Sequence, residues 1–158
     1  VTMADPIVVE LKSRPFAYIS LRSTLPQMPA TMGQGFATLG QMFAKAKAQM
    51  AGNPLAHYTA YDATSASFEL GFPVLETDIP ALRAAGLSIG QSPGGTNMTA
   101  THIGPYDTVA KTYDRMTIAM KAQKLSPRRD MWESYLSPAE TPPEQIRTEV
   151  IWPVEAAN

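Results

Sequence analysis

The residues best suited to chemistry gather in one short stretch. Met131-Trp132-Glu133-Ser134-Tyr135-Leu136 sets a single carboxylate among apolar and aromatic side chains. The segment is strand-like, and side chains alternate along a strand. Met131, Glu133 and Tyr135 are therefore expected on one face, and Trp132, Ser134 and Leu136 on the other. A carboxylate buried among aromatics is driven toward its neutral form unless a cation or a hydrogen-bond donor holds the charge. A lipophilic cation would hold it, and aromatic faces would add cation–π attraction. The plainer alternative is a solvated Glu133, or one paired with Arg128 or Arg129.

Other candidates surround this stretch. Tyr106 follows Gly104-Pro105 at a strand-to-helix turn, as a pocket wall or as a packing tyrosine. An offset of 75 residues lays Leu55–Tyr61 on Asp130–Leu136, which gives Tyr58 the place of Glu133. Tyr58 is expected to face Glu133 across a pocket or to lie on a sheet surface. Phe72 and Trp152 are related by a repeat and form either an aromatic clamp or ordinary core. Met98, with Met28 and Met32, could line an adaptable pocket, whereas Met42, Met50, Met116 and Met120 read as helix–sheet core. His102 could act as a general base, but a lone histidine at a strand end is more often structural, and His57 has no stronger claim. Gly33-Gln34-Gly35 lacks the third glycine and the preceding strand of a phosphate loop.

Composition removes several classes of function. Zero cysteines exclude disulfides, thiolate metal sites and cysteine nucleophiles. With only two histidines, no metal site and no cofactor are expected. Thirteen Lys+Arg against fourteen Asp+Glu leave a net charge of −1, so direct nucleic-acid binding through a basic face is not expected. No run approaches the roughly 18 apolar residues of a membrane span. No basic-then-apolar leader is visible, so a cytoplasmic location is expected.

The elements that must position these residues read as one unit used twice. Phe68-Glu69-Leu70-Gly71-Phe72-Pro73-Val74 matches Thr148-Glu149-Val150-Ile151-Trp152-Pro153-Val154 at an offset of 80. Each copy is preceded by a helix candidate. From about Ala30 to Ala51, Met32, Phe36, Leu39, Phe43, Ala46 and Met50 recur at spacings of three and four. From about Pro105 to Lys124, Val109, Tyr113, Met116 and Met120 do the same. Strand-like segments flank both helices: Ile7–Leu11, Phe16–Leu21, Leu55–Tyr61 and Ser67–Val74, then Thr96–Ile103, Met131–Leu136 and Arg147–Val154. In Thr96–Ile103, Met98, Ala100 and His102 share one face. Glu76–Gly95 reads as a loose connection holding at most one helical turn or strand fragment. The order is strand, helix, strand, strand, twice. The fold class is α+β, as one domain over 1–158 with half-repeats about 7–75 and 96–154. Each half alone is too small to bury a sufficient core.

His102-Ile103-Gly104-Pro105-Tyr106, Tyr113, Trp132-Glu133-Ser134-Tyr135-Leu136 and the closing Trp152-Pro153-Val154 carry a resemblance. Together they are similar to the GyrI-like small-molecule-binding family, the effector-binding domain of AraC- and MerR-type transcription regulators. The resemblance implies a curved antiparallel sheet with two helices on its convex side. It also implies a ligand groove on the concave side, at a pseudo-twofold seam. It gives Glu133 the role of the pocket acid for bulky, cationic and aromatic ligands.

Three functions are compatible with these residues. The first is binding of a hydrophobic, cationic or aromatic small molecule by Glu133, Tyr58, Tyr106, Tyr135, Phe72, Trp152, Trp132 and Met98. The second, implied by the resemblance, is hydrolysis of reactive cyclopropane-type genotoxins, with Glu133 as base and Tyr106 or Tyr135 assisting. The third is a protein-interaction role such as gyrase inhibition, for which the charge balance gives no support.

Overall fold

The computed structural model describes residues 5–138 and 140–158. In chain order the elements are β1 (Ile7–Leu11), β2 (Pro15–Thr24), α1 (Met28–Ala46), β3 (Leu55–Tyr61), β4 (Ser65–Pro73), α2 (Ile79–Ala84), β5 (Ser88–Gln91), β6 (Gly95–Ile103), α3 (Ala110–Ala122), β7 (Leu125–Pro127), β8 (Trp132–Tyr135) and β9 (Arg147–Ala156). They form two compact units. Residues 13–92 make the first; residues 93–158, with β1, make the second. Among the described residues, no helix is long and apolar enough to cross a membrane.

In the first unit β4 lies between β2 and β3, antiparallel to both, and β5 pairs with the far side of β2. Phe68, Leu70 and Phe72 of β4 alternate toward α1, because successive strand side chains point to opposite faces. The Phe72 ring meets Phe43 edge-on at 5.6 Å and Phe36 at 6.3 Å. Gly35 lets α1 come close, since a Cβ there would lie 2.8 Å from Leu21 and 2.9 Å from Leu70. The helix stops earlier than its apolar spacing suggests. Lys47 takes a left-handed conformation (φ 55°), and its N–H donates to the Ala44 carbonyl. Met50 thus falls outside the helix and is exposed instead of continuing the stripe.

The second unit repeats the plan. β9 lies between β6 and β8, and α3 covers one face. Met98, Ala100, Met116, Met120, Val150 and Val154 form its core, with Val109, Tyr113, Leu125 and Trp152 packed against it. Met98 and Ala100 therefore face α3 as the alternation predicts, and His102 joins them by bonding to Thr112.

Two edges differ from the sequence expectation. Ile7–Leu11 does not serve the first half; it pairs antiparallel with β6, Val8 opposite Met98, and so belongs to the second unit. The supposedly loose stretch after Val74 contains both α2 and β5, with Ala17 opposite Ile89. Each unit thus has a fourth strand beside its strand–helix–strand–strand repeat, and β7 adds a further pairing to β9. The outcome is an α+β fold with the duplicated order read from the sequence.

Candidate functional site

Glu133 is 7% exposed, so its surroundings decide its chemistry. β8 aligns Glu133 with Val150 and Tyr135 with Thr148. Val150 lies in the core beneath α3, so Glu133 and Tyr135 stand on the helix side of the sheet. This corrects the implied placement of the pocket acid on the face away from the helices. The cause is register: directly paired residues point to the same side.

The helix supplies a partner. The Tyr113 hydroxyl donates to Glu133 Oε2 at 2.7 Å, and the Tyr135 hydroxyl donates to Oε1 at 3.0 Å. The expected alternative of a pair with Arg128 does not occur; Arg128 donates instead to the Gly94 carbonyl at 3.1 Å. The Tyr106 ring packs edge-on against Tyr135 at 5.8 Å, and Tyr113 packs edge-on against Trp152 at 5.7 Å. Tyr106 also senses the acid. Its phenol pKa is raised, first by burial and second by the negative charge of Glu133. One carboxylate is therefore flanked by a connected set of aromatic rings: Tyr106, Tyr135, Tyr113 and Trp152.

Trp132, Met98 and Phe72 lie elsewhere. Trp132 is buried on the opposite face of β8, aligned with Ile151. Met98 is fully buried in the core beneath α3 and offers no surface to a ligand. Phe72 is core beneath α1, which favours the plainer reading for that residue. Tyr58 belongs to the first unit, half-buried, its ring 5.6 Å from Phe68. His57 bonds through Nδ1 to Glu69 Oε1 at 2.8 Å. Among the described residues, no group of three or more His, Asp or Glu side chains could hold a metal.

Tyr113 lies in the apolar stripe as its spacing predicts, but the sequence reading gave no role to its hydroxyl, which reaches the acid. A tyrosine in such a stripe carries a hydroxyl that needs a partner on burial, and that signal pointed to an acceptor on the sheet. Tyr113→Phe is expected to cost about 1.5–3 kcal/mol of stability, the range for a hydrogen bond to a charged group. Urea unfolding at neutral pH would measure it. A change below about 0.5 kcal/mol would show that the bond is solvent-exchanged rather than structural.

A family model described as the GyrI-like small molecule binding domain matches residues 4–155. The chain belongs to the GyrI-like family. No curated protein matches it. Among solved structures, the C-terminal domain of EcmrR is 17% identical with a TM-score of 0.76, covering 99% of this chain and 100% of that one. A protein from Listeria innocua described as a hydrolase is 16% identical with a TM-score of 0.67, covering 96% of this chain and 92% of that one. SAV2435, solved bound to tetraphenylphosphonium, is 15% identical with a TM-score of 0.63, covering 96% and 94%. Identities this low establish a common fold. The GyrI-like match assigns the chain to small-molecule binding.

Proposed function

We propose that this GyrI-like chain binds a lipophilic, aromatic cation, with Glu133 as the counter-charge, as a sensing or sequestering module of the cytoplasm. The observation that carries the reading is a buried carboxylate held by the Tyr113 and Tyr135 hydroxyls and flanked by the rings of Tyr106 and Trp152. A carboxylate costs much to bury, and its fixed negative charge is attractive to a cation that sheds water easily. Aromatic faces supply the rest of the contact, at about 0.5–2 kcal/mol for each well-placed ring. The tetraphenylphosphonium bound by SAV2435 has this chemistry and supports the choice of probe.

Titration of tetraphenylphosphonium by tryptophan fluorescence tests the proposal, with neutral triphenylphosphine oxide for comparison. Trp152 packs edge-on against Tyr113 and should report occupancy. The expected result is saturable binding that favours the cation at least tenfold. Equal affinity for the two compounds would remove the role of the charge.

The hydrolytic alternative rests on the same acid. Glu133 would accept a proton from water as the water oxygen bonds to a strained ring carbon and a ring C–C bond breaks. The released carbon would take a proton from Tyr106 or Tyr135, and the proton held by Glu133 would return to that phenolate. The fold shared with a Listeria innocua protein described as a hydrolase supports this second reading. Turnover of a cyclopropane electrophile that disappears in Glu133→Gln is its expected signature.

A further inference from the structure

We propose that His102 is a positioning residue that fixes the Tyr106 turn against Glu133. The inference rests on the reading of Glu133 as a ligand site and adds to it a device that holds one wall.

His102 is 2% exposed and sits near the end of β6, opposite Thr148. Both ring nitrogens are engaged. Nδ1 lies 2.8 Å from the Thr112 hydroxyl on α3. Nε2 lies 3.0 Å from the Pro105 carbonyl and 2.9 Å from the Thr108 hydroxyl. A carbonyl only accepts, so the network assigns the hydrogen to Nε2 and leaves Nδ1 to accept from Thr112 in the neutral ring. The Thr108 hydroxyl in turn donates to the Pro105 carbonyl at 2.9 Å. With both nitrogens occupied, the imidazole is not poised as a general base.

One ring therefore ties three pieces together: the end of β6, the turn at residues 105–108 and the first turns of α3. Tyr106 lies between the two tied residues of that turn. Its own side chain does little to fix it, being 49% exposed with a single edge-on contact to Tyr135. Upstream, Gly104 adopts φ 133°, a conformation other residues rarely adopt, and its N–H donates to the Ile146 carbonyl at 2.8 Å. The turn is thus pinned from the backbone side by Gly104 and from beneath by His102, with the Tyr106 ring directed by those ties. An apolar residue at 102 could fill the space but could not hold a carbonyl and a hydroxyl at fixed distances.

The test needs no ligand. Tyrosines labelled with carbon-13 at Cζ are followed by NMR through a pH titration, with Tyr106 assigned by Tyr106→Phe. In the unaltered protein Tyr106 is expected to titrate above the ordinary phenol range, because the turn holds its ring partly buried and, second, near the Glu133 charge. In His102→Gln its midpoint is expected to fall back toward that range while Tyr113 keeps its signal. A folded His102→Gln with an unchanged Tyr106 midpoint would overturn the proposal. Should that variant fail to fold, Thr108→Ala removes one hydroxyl from the network and is read in the same way.

A second arm uses benzyltriethylammonium as the probe. His102→Gln is expected to weaken its binding five- to tenfold, and to have no effect when Tyr106 is already alanine. A loss that persists in full on the Tyr106→Ala background would also overturn the proposal. If the unaltered protein does not bind the probe, the ligand reading fails, and the NMR arm still decides the role of His102.

Discussion

Glu133→Gln is expected to weaken binding of a lipophilic cation by roughly tenfold to a hundredfold, about 1.4–2.8 kcal/mol. A neutral aromatic of similar size should be held within about twofold of its original affinity. The substitution keeps the shape of the side chain and one carbonyl oxygen, so a tyrosine hydroxyl keeps an acceptor. What it removes is the charge. That charge is nearly out of water, at 7% exposure, so it is screened far less than a surface acid would be. Calorimetry on both compounds separates charge from shape. Parallel losses for cation and neutral compound would mean that Gln had disturbed the aromatic wall. Unchanged cation affinity would mean that the cation sits away from Glu133. Removal of the Tyr113 hydroxyl acts differently, through the anchoring of the acid, and is read first in stability.

Much of this arrangement was legible because it follows from periodicity. Three-and-four spacing located α1 and α3, and alternation placed Met98 and Ala100 on the helix side of β6. The offset of 80 residues located β4 and β9, each central in its own unit. Other features depend on pairing, which no local pattern encodes. Ile7–Leu11 reads as a strand, but nothing in five residues says that its partner is β6 rather than β2. β5 was hidden because Gly90 and the flanking prolines and glycines resemble a loop, although Gly90 is opposite Phe16 in a regular ladder. The face occupied by Glu133 was obscured in the same way. Alternation groups Glu133 with Tyr135, but only the alignment with Val150 says which side of the sheet the group occupies. Of the site residues, Tyr135, Tyr106 and Trp152 join Glu133 around Tyr113. Trp132 and Met98 were drawn in by proximity in sequence and by residue type, and they prove to be buried elsewhere.

The repeat also breaks at one position, and that break carries the other large effect. Gly71 corresponds to Ile151 at the offset of 80 residues. Ile151 is paired with Thr99 on β6 and Trp132 on β8 and carries its side chain without difficulty. Gly71 is paired with Tyr18 on β2 and Leu55 on β3, at the centre of the first unit's sheet. There the β2 backbone comes too near for any side chain. A Cβ at residue 71 would collide with the Ala17 carbonyl oxygen and lie 2.7 Å from the Tyr18 Cα. These are backbone atoms in a hydrogen-bonded ladder, so no rotamer change relieves the clash; β2 must move away from β4. That movement would strain the pairs from Phe16 with Pro73 to Thr24 with Ser65 and loosen the contacts of Phe72 with α1. Gly71→Ala is accordingly expected to cost about 3 kcal/mol or more, at the upper end for overpacking a close-packed site. Ile151→Ala, at the matching position, removes methyl groups instead of forcing strands apart and should cost about 2–4 kcal/mol by cavity formation. The two alanines can be told apart by hydrogen exchange. Gly71→Ala should open the amides of β2 and β4 selectively, whereas Ile151→Ala should leave those amides protected. Retained protection in β2 and β4 of Gly71→Ala would show that the ladder absorbs a methyl group, and that the glycine is not a steric requirement of the first unit.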